Sequence, residues 1–111
     1  LLDERPDLVV AFLAQTLRAA DWAAGNLRRV REILASETRS EAEGVATAYR
    51  GDFHRSLHPD LSDERLELLR LQKDFLLVHG FLAADVDLDA WVAPEPLAQA
   101  RARLSAAKAV A

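Results

Sequence analysis

The 111-residue chain contains no cysteine and no methionine. The first absence excludes a disulfide scaffold, a thiolate zinc site and a cysteine nucleophile from these residues. No apolar run approaches the roughly 20 residues that a membrane-spanning helix requires, which argues against membrane insertion. Basic charge is in deficit, with 14 Lys and Arg against 18 Asp and Glu and a net charge of −4. That balance argues against a nucleic-acid binder, whose phosphate contacts need a basic face. No Gly-rich phosphate loop, nucleophile elbow or Ser/His/Asp arrangement can be read, so no catalytic, cofactor-binding or metal site is assigned and ligand contacts stay unassigned. The opening Leu1-Leu2-Asp3 lacks both an initiator methionine and a signal peptide, and reads as that of a chain cut from a longer one.

What remains is aliphatic. Half of the residues are hydrophobic and only 6% are aromatic, with Ala and Leu dominant and Ile33 the single isoleucine. The length suits one small domain. Helix formers abound, and Gly and Pro fall between apolar stretches.

Pro6 and Asp7 suit a first helical turn. From there Leu8, Val9, Phe12, Leu13, Leu17, Ala20 and Ala24 recur at helical spacing, with Trp22 beside them, in a pattern wide enough to be buried on more than one side. Gly25-Asn26 ends this helix, and Asn26 is placed to cap a second one that turns Val30, Ile33 and Leu34 inward and Arg28, Arg29, Arg31 and Glu32 outward. Ser40 and Glu43 form a capping-box signature for a third helix through Val45, Ala46 and Tyr49. Residues 50–61 read as an irregular connection. Ser62, Asp63 and Glu64 open the clearest helix, with leucines on two sides, which stops at His79-Gly80 with Phe81 at the position of a C-terminal hydrophobic contact. Residues 83–93 read as an extended stretch entering a short helical turn. Pro94 and Pro96 start a last helix, Leu97 to about Ala109. The fold class is therefore all-α, with five to six helices and no strand.

Several constellations invite chemistry and have plainer readings. His54 and His58 are four apart between Asp52 and Asp60, the spacing of a helical metal pair. Gly51 and Pro59 bracket them, and surface-loop histidines are the expectation. Asp85, Asp87 and Asp89 match the opening of a calcium loop, but Ala90 stands where that loop needs Gly and Pro96 where it needs Glu. A capped turn with solvated carboxylates is expected instead. Asp60, Asp63 and Glu64 sit where a helix N-terminus favours negative charge. Arg28, Arg29 and Arg31 read as a solvated helix face. Trp22 and Trp91 read as core anchors more readily than as ligand-stacking groups.

The order of the motifs carries more than any one of them. Arg5-Pro6-Asp7-Leu8-Val9, Ala19-Ala20-Asp21-Trp22-Ala23 with Asn26, and Ile33-Leu34-Ala35-x-Glu37-Thr38 come first. Gln72-x-Asp74-Phe75-Leu76, Gly80-Phe81-Leu82 and Val86-Asp87-Leu88-Asp89-x-Trp91 follow. Together, over about residues 1 to 98, they resemble the C-terminal helical region of solute-binding proteins from nitrate, sulfonate and taurine ABC importers. The resemblance implies a two-lobed α/β parent that closes on a small anion and delivers it to a membrane permease outside the cytoplasm. Residues 1–111 would then be a single C-terminal helical segment wrapped onto the first lobe. A segment of that kind, taken without its sheet, is expected to expose a large apolar patch and to self-associate.

A narrower likeness runs through Asp52-Phe53, Leu57-x-Pro59-x-Leu61, Leu66-x-Leu68-Leu69, Gln72, Phe75-Leu76-Leu77 and Leu88-Asp89-x-Trp91-x-Ala93-Pro94-Glu95. It is similar to the tail of aromatic sulfinate desulfinase, a cytoplasmic C–S hydrolase of the same fold. The implied cysteine nucleophile has no counterpart among these residues. An independent helical interaction domain is the third reading.

Overall fold

A computed structural model describes residues 1–110. Six α-helices and one 3-10 turn account for the regular structure, and among the described residues there is no strand. Helix α1 is Pro6–Ala24, α2 Leu27–Thr38, α3 Ala42–Ala48, α4 Asp63–Val78, α5 Leu88–Trp91 and α6 Glu95–Val110, with the 3-10 turn at Phe53–Arg55.

The core is the contact between the first and last long helices. Val10, Ala14 and Leu17 of α1 meet Leu97 and Ala100 of α6, with Leu13, Leu61 and Leu104 packed at its edge. These positions recur every three or four residues, so each helix gives one stripe to the contact. The stripes are partly alanine. Ala100 is 0% exposed, and small side chains let two helix backbones approach closely. α2 packs on α3 and more lightly on α1, burying Val30 and Val45. The 3-10 turn lies against α1.

α4 stands apart. None of its residues is buried, and among the described residues no other helix packs extensively on it. One side faces the segment 82–92 across a shallow apolar cleft of about 300 Å³ lined by Leu69, Leu76, Leu82, Val86 and Trp91. The opposite side carries Leu68, Leu71, Phe75 and Val78, all exposed.

The arrangement is open and flat. Its extents are 42 × 40 × 25 Å and its radius of gyration is 17.3 Å, against about 13 Å for a compact domain of this length. Its accessible surface is 8461 Å², whereas a globular protein of 12.3 kDa exposes roughly 6,100 Å².

Helix ends follow local chemistry, with some departures from expectation. The Ser62 hydroxyl accepts a hydrogen bond from the Arg65 amide at 3.4 Å and so caps α4 as its sequence implies. Asn26 precedes α2, but its side-chain amide donates to the Trp22 carbonyl at 2.7 Å and caps nothing ahead of it. The expected Ser40–Glu43 capping box does not form: the residue before α3 is Glu41, without a side-chain bond, and the Ser40 hydroxyl points back to the Thr38 carbonyl at 3.4 Å. Ile33 is exposed, because the packed side of this short amphipathic helix is formed by Val30, with Leu27 and Leu34 half-buried beside it. The Nε of Arg31, expected outward, is buried without a partner. Trp22 and Trp91 are also exposed rather than core anchors. On α1 the Trp22 position lies opposite the Val10–Leu17 stripe, and α5 is a single turn with no buried residue. The last helix begins at Glu95, two residues before its expected start.

Two helices end with a left-handed residue. After α4, Gly80 has φ +75°, the Gly80 amide donates to the Leu77 carbonyl and the Phe81 amide to the Leu76 carbonyl. This is the bond pattern of a Schellman motif. After α2, the Arg39 and Ser40 amides reach the Ser36 and Ala35 carbonyls in the same way, but the left-handed residue is Arg39, at φ 52°. A side chain with a Cβ disfavours that conformation by about 1–2 kcal/mol. Gly80→Ala is therefore expected to destabilise the chain by about 1 kcal/mol. Arg39→Gly is expected to stabilise it by up to about 1 kcal/mol, the relief of strain outweighing the added freedom of the unfolded chain. Urea unfolding followed by circular dichroism would resolve both, and equal effects of one sign would contradict this account.

Candidate functional site

Two polar clusters bring distant parts of the chain together. The first joins α1, the 56–61 connection and α6. Asp21 accepts a hydrogen bond from Lys108 Nζ at 2.7 Å on one carboxylate oxygen and from His58 Nε2 at 2.8 Å on the other. Close by, the Arg101 guanidinium donates to the Pro59 carbonyl at 3.1 Å and lies 3.6 Å from the Asp60 carboxylate. Asp60 also accepts from the Ser62 amide at 3.1 Å. The residues involved are separated by 37 to 87 positions, so these bonds hold tertiary structure. The Lys108 ammonium, and after it His58, holds the Asp21 carboxyl below the ordinary aspartate range. The hydrogen bond from Ser62 does the same for Asp60.

The second cluster lies between α4 and the 85–89 segment, around a cleft of about 500 Å³. Lys73 Nζ donates to Asp85 at 2.6 Å and lies 2.9 Å from Asp74. Arg70 donates to Asp89 at 2.7 Å and lies 3.6 Å from Glu67. Asp87 accepts from the amides of Asp89 and Ala90 and caps α5. The three aspartates of the calcium-like alternation thus have separate tasks: two bind cations of α4 and one caps a turn. Asp85 is held below its usual range by Lys73, and Lys73 is raised, chiefly by Asp85. Every cation at this cleft already has carboxylate partners. A small anion entering it would have to displace one of them.

The remaining sequence candidates are placed plainly. His54 is not a surface-loop residue. It is 5% exposed, in the 3-10 turn packed on α1, with Nδ1 lacking any partner and its ring edge-on to Phe53. His58 serves Asp21, and the two histidines share no metal-holding group: among the described residues no three His, Cys, Asp or Glu converge in that way. Arg28 and Arg29 share Glu32, at 3.1 and 2.9 Å, so one carboxylate offsets part of the charge of the basic run. Asp63 and Glu64 lie in the first turn of α4. The Asp21–His58–Lys108 cluster had no sequence signal, since Lys108 sits in an alanine-rich helix 87 residues from its partner.

The carboxylates fix the sign of the acid response. A group whose pKa is depressed on folding stabilises the folded chain above its unfolded pKa, and that stabilisation is lost as pH falls through the folded value. Asp21, Asp60, Asp85 and Glu32 are all depressed. Stability is therefore expected to be level near neutrality and to fall below about pH 4. Asp21→Asn should lower stability at pH 7 and flatten the acid limb, as read by thermal unfolding across that range. A steeper acid limb in the variant would refute the assignment.

Comparison with protein-family models, with curated proteins and with solved structures returns no match.

Proposed function

We propose that residues 1–111 form the C-terminal helical part of an extracytoplasmic solute-binding protein, serving an ABC importer for a small anion of the sulfonate, nitrate or taurine class. The reading starts from the order of the motifs along the chain. The observation that carries it is the uncovered surface: 8461 Å² is exposed, about 2,400 Å² beyond what a compact chain of this mass shows. A helical tail that wraps onto a lobe has this property when taken by itself.

The outer stripe of α1 suits that covering role. Leu8, Phe12 and Trp22 are exposed on the side away from α6, with Gln15 and Ala19 between them. The mixture of large, small and polar residues fits a broad, uneven surface. In this reading the anion is gripped at strand–helix junctions of the lobes, where helix N-termini present unpaired amides. The tail contributes rigidity and no catalytic group. Its own cations are paired at both polar clusters, which agrees with a bracing role.

Two measurements test the proposal. The coding sequence ahead of Leu1 should encode two α/β lobes behind an export signal, beside permease and ATPase genes. Calorimetry on the protein expressed from that reading frame should detect taurine, nitrate or an alkanesulfonate. Absence of the lobes or of all binding would overturn it. Release of sulfite from an aryl sulfinate would replace it with a desulfinase-like activity.

A further inference from the structure

Three Lys and Arg residues among those described are half-buried: Arg31, Arg70 and Lys73. Two of them are held by carboxylates, Arg70 by Asp89 and Glu67 and Lys73 by Asp85 and Asp74. Arg31 is the exception. Among the described residues no carboxylate lies within ion-pair distance of it, and its Nε is buried with no acceptor. Glu32 is its neighbour in sequence, and adjacent residues do not face each other on a helix. Both oxygens of Glu32 are also taken, one by Arg28 and the other by Arg29. Glu41 and Glu43, which flank Ala42 at the start of α3, are exposed and make no ion pair.

Arg31 lines a cleft of about 420 Å³ between α2 and α3, together with Leu27, Arg28, Glu32, Ala42 and Ala46. Leu27 and the two alanines make part of its wall apolar. Ala42 and Ala46 are one helical turn apart, and a larger side chain at either would fill part of the space. The volume falls within the range of small-molecule pockets, roughly 300–1,000 Å³, and exceeds what one acidic side chain occupies.

We propose that this cleft binds a small organic carboxylate, its head on the Arg31 guanidinium and a short aliphatic arm against Leu27, Ala42 and Ala46. A guanidinium partly removed from water and left unpaired is costly, and an anion beside it removes that penalty. The planar fork of arginine matches a carboxylate. An inorganic anion would satisfy Arg31 but leave the apolar wall in water. Glu32 also lines the cleft, and its two arginines offset its repulsion of an incoming anion. The site is separate from the strand–helix junctions of the lobes, where the transported anion is placed above.

Butyrate tests this, titrated into the isotopically labelled 111-residue chain at constant ionic strength, with chloride as the competing anion. Saturable shifts of the Leu27, Arg31, Ala42 and Ala46 amide resonances are expected. Arg31→Gln should weaken binding roughly tenfold or more, as loss of a charge-assisted pair does. Ala42→Leu keeps every charge and fills the cleft, and should weaken binding roughly fivefold or more. Arg65→Gln removes the same charge from α4 and should leave binding within about twofold. Helix content by circular dichroism should be alike in all three variants.

The absence of saturable shifts would overturn the proposal. So would equal weakening by Arg31→Gln and Arg65→Gln, which marks attraction to net charge, or indifference to Ala42→Leu, which marks an ion pair without a pocket. The protein expressed from the longer reading frame separates two sources of the carboxylate, read at the same resonances. Retained butyrate binding there supports a free ligand. Its loss shows that an acidic side chain of the added lobes occupies Arg31, and overturns the proposal. None of these outcomes bears on the anion held between the lobes, so the transport reading stands or falls separately.

Discussion

The close approach of α1 and α6 is the contact on which the rest of the structure depends. It joins residues almost a full chain length apart, and its surface is built from Val10, Ala14, Leu17, Leu97 and Ala100. Alanine in such a position gives little apolar area of its own, but it brings two helices near enough for the leucines on either side to meet. The core is consequently thin. Leu13, Leu61 and Leu104 at its edge are only partly buried, and polar ties complete what burial leaves undone. His58, Asp60 and Asp21 sit beside this contact, and with Lys108 and Arg101 they hold the 56–61 connection and the end of α6 to α1. Exposed pairs of this kind each contribute little in water. Their value lies in number and in joining three elements at one place.

His54 shows the same thinness from inside. It is the one buried polar or charged residue among those described, and its Nδ1 has no partner. A buried group left unsatisfied costs about 1–3 kcal/mol, a large share of the stability of a small domain. The turn that carries it packs on α1 nonetheless, with the rings of Phe53 and Tyr49 tilted against each other at 5.1 Å between centres and Phe53 edge-on to His54. Apart from the Phe53–Arg55 turn, residues 50–61 form the irregular connection that the sequence suggests.

Local signals in the sequence translated well at three single residues, though not at Asn26, whose side chain turns back to the Trp22 carbonyl. Pro6 opens α1, Ser62 caps α4, and Gly80 ends it with both Schellman bonds. The all-α class and all six helices follow from periodicity and punctuation of this kind. Signals that need two partners fared worse. The Ser40–Glu43 box fails because Arg39 takes the left-handed conformation and Ser40 is drawn into closing α2. Helical spacing identifies apolar stripes but does not say which is covered: Val10 and Phe12 belong to the same periodic run, yet one is core and the other is 70% exposed. The tryptophans were misplaced for the same reason. The Asp21 cluster was illegible because its spacing of 37 and 87 residues exists only after α1 and α6 have met.

That ambiguity about coverage is itself informative. A helix apolar on two sides has no stable place at the edge of a small domain unless both sides find neighbours. α4 finds one in the 82–92 segment, which Arg70 and Lys73 pin through Asp89 and Asp85. The pinning aligns the helix and leaves the Leu68–Val78 side turned outward. Large apolar residues lie on both sides of the helix, Leu69 and Leu76 toward the 82–92 segment and Leu68, Leu71, Phe75 and Val78 away from it. The carboxylates that border the outer side serve the same pinning: Glu67 lies 3.6 Å from Arg70 and Asp74 2.9 Å from Lys73, so each of these cations is held between its own helix and the 85–89 segment, and the charge pattern of this stretch of α4 is explained within the chain.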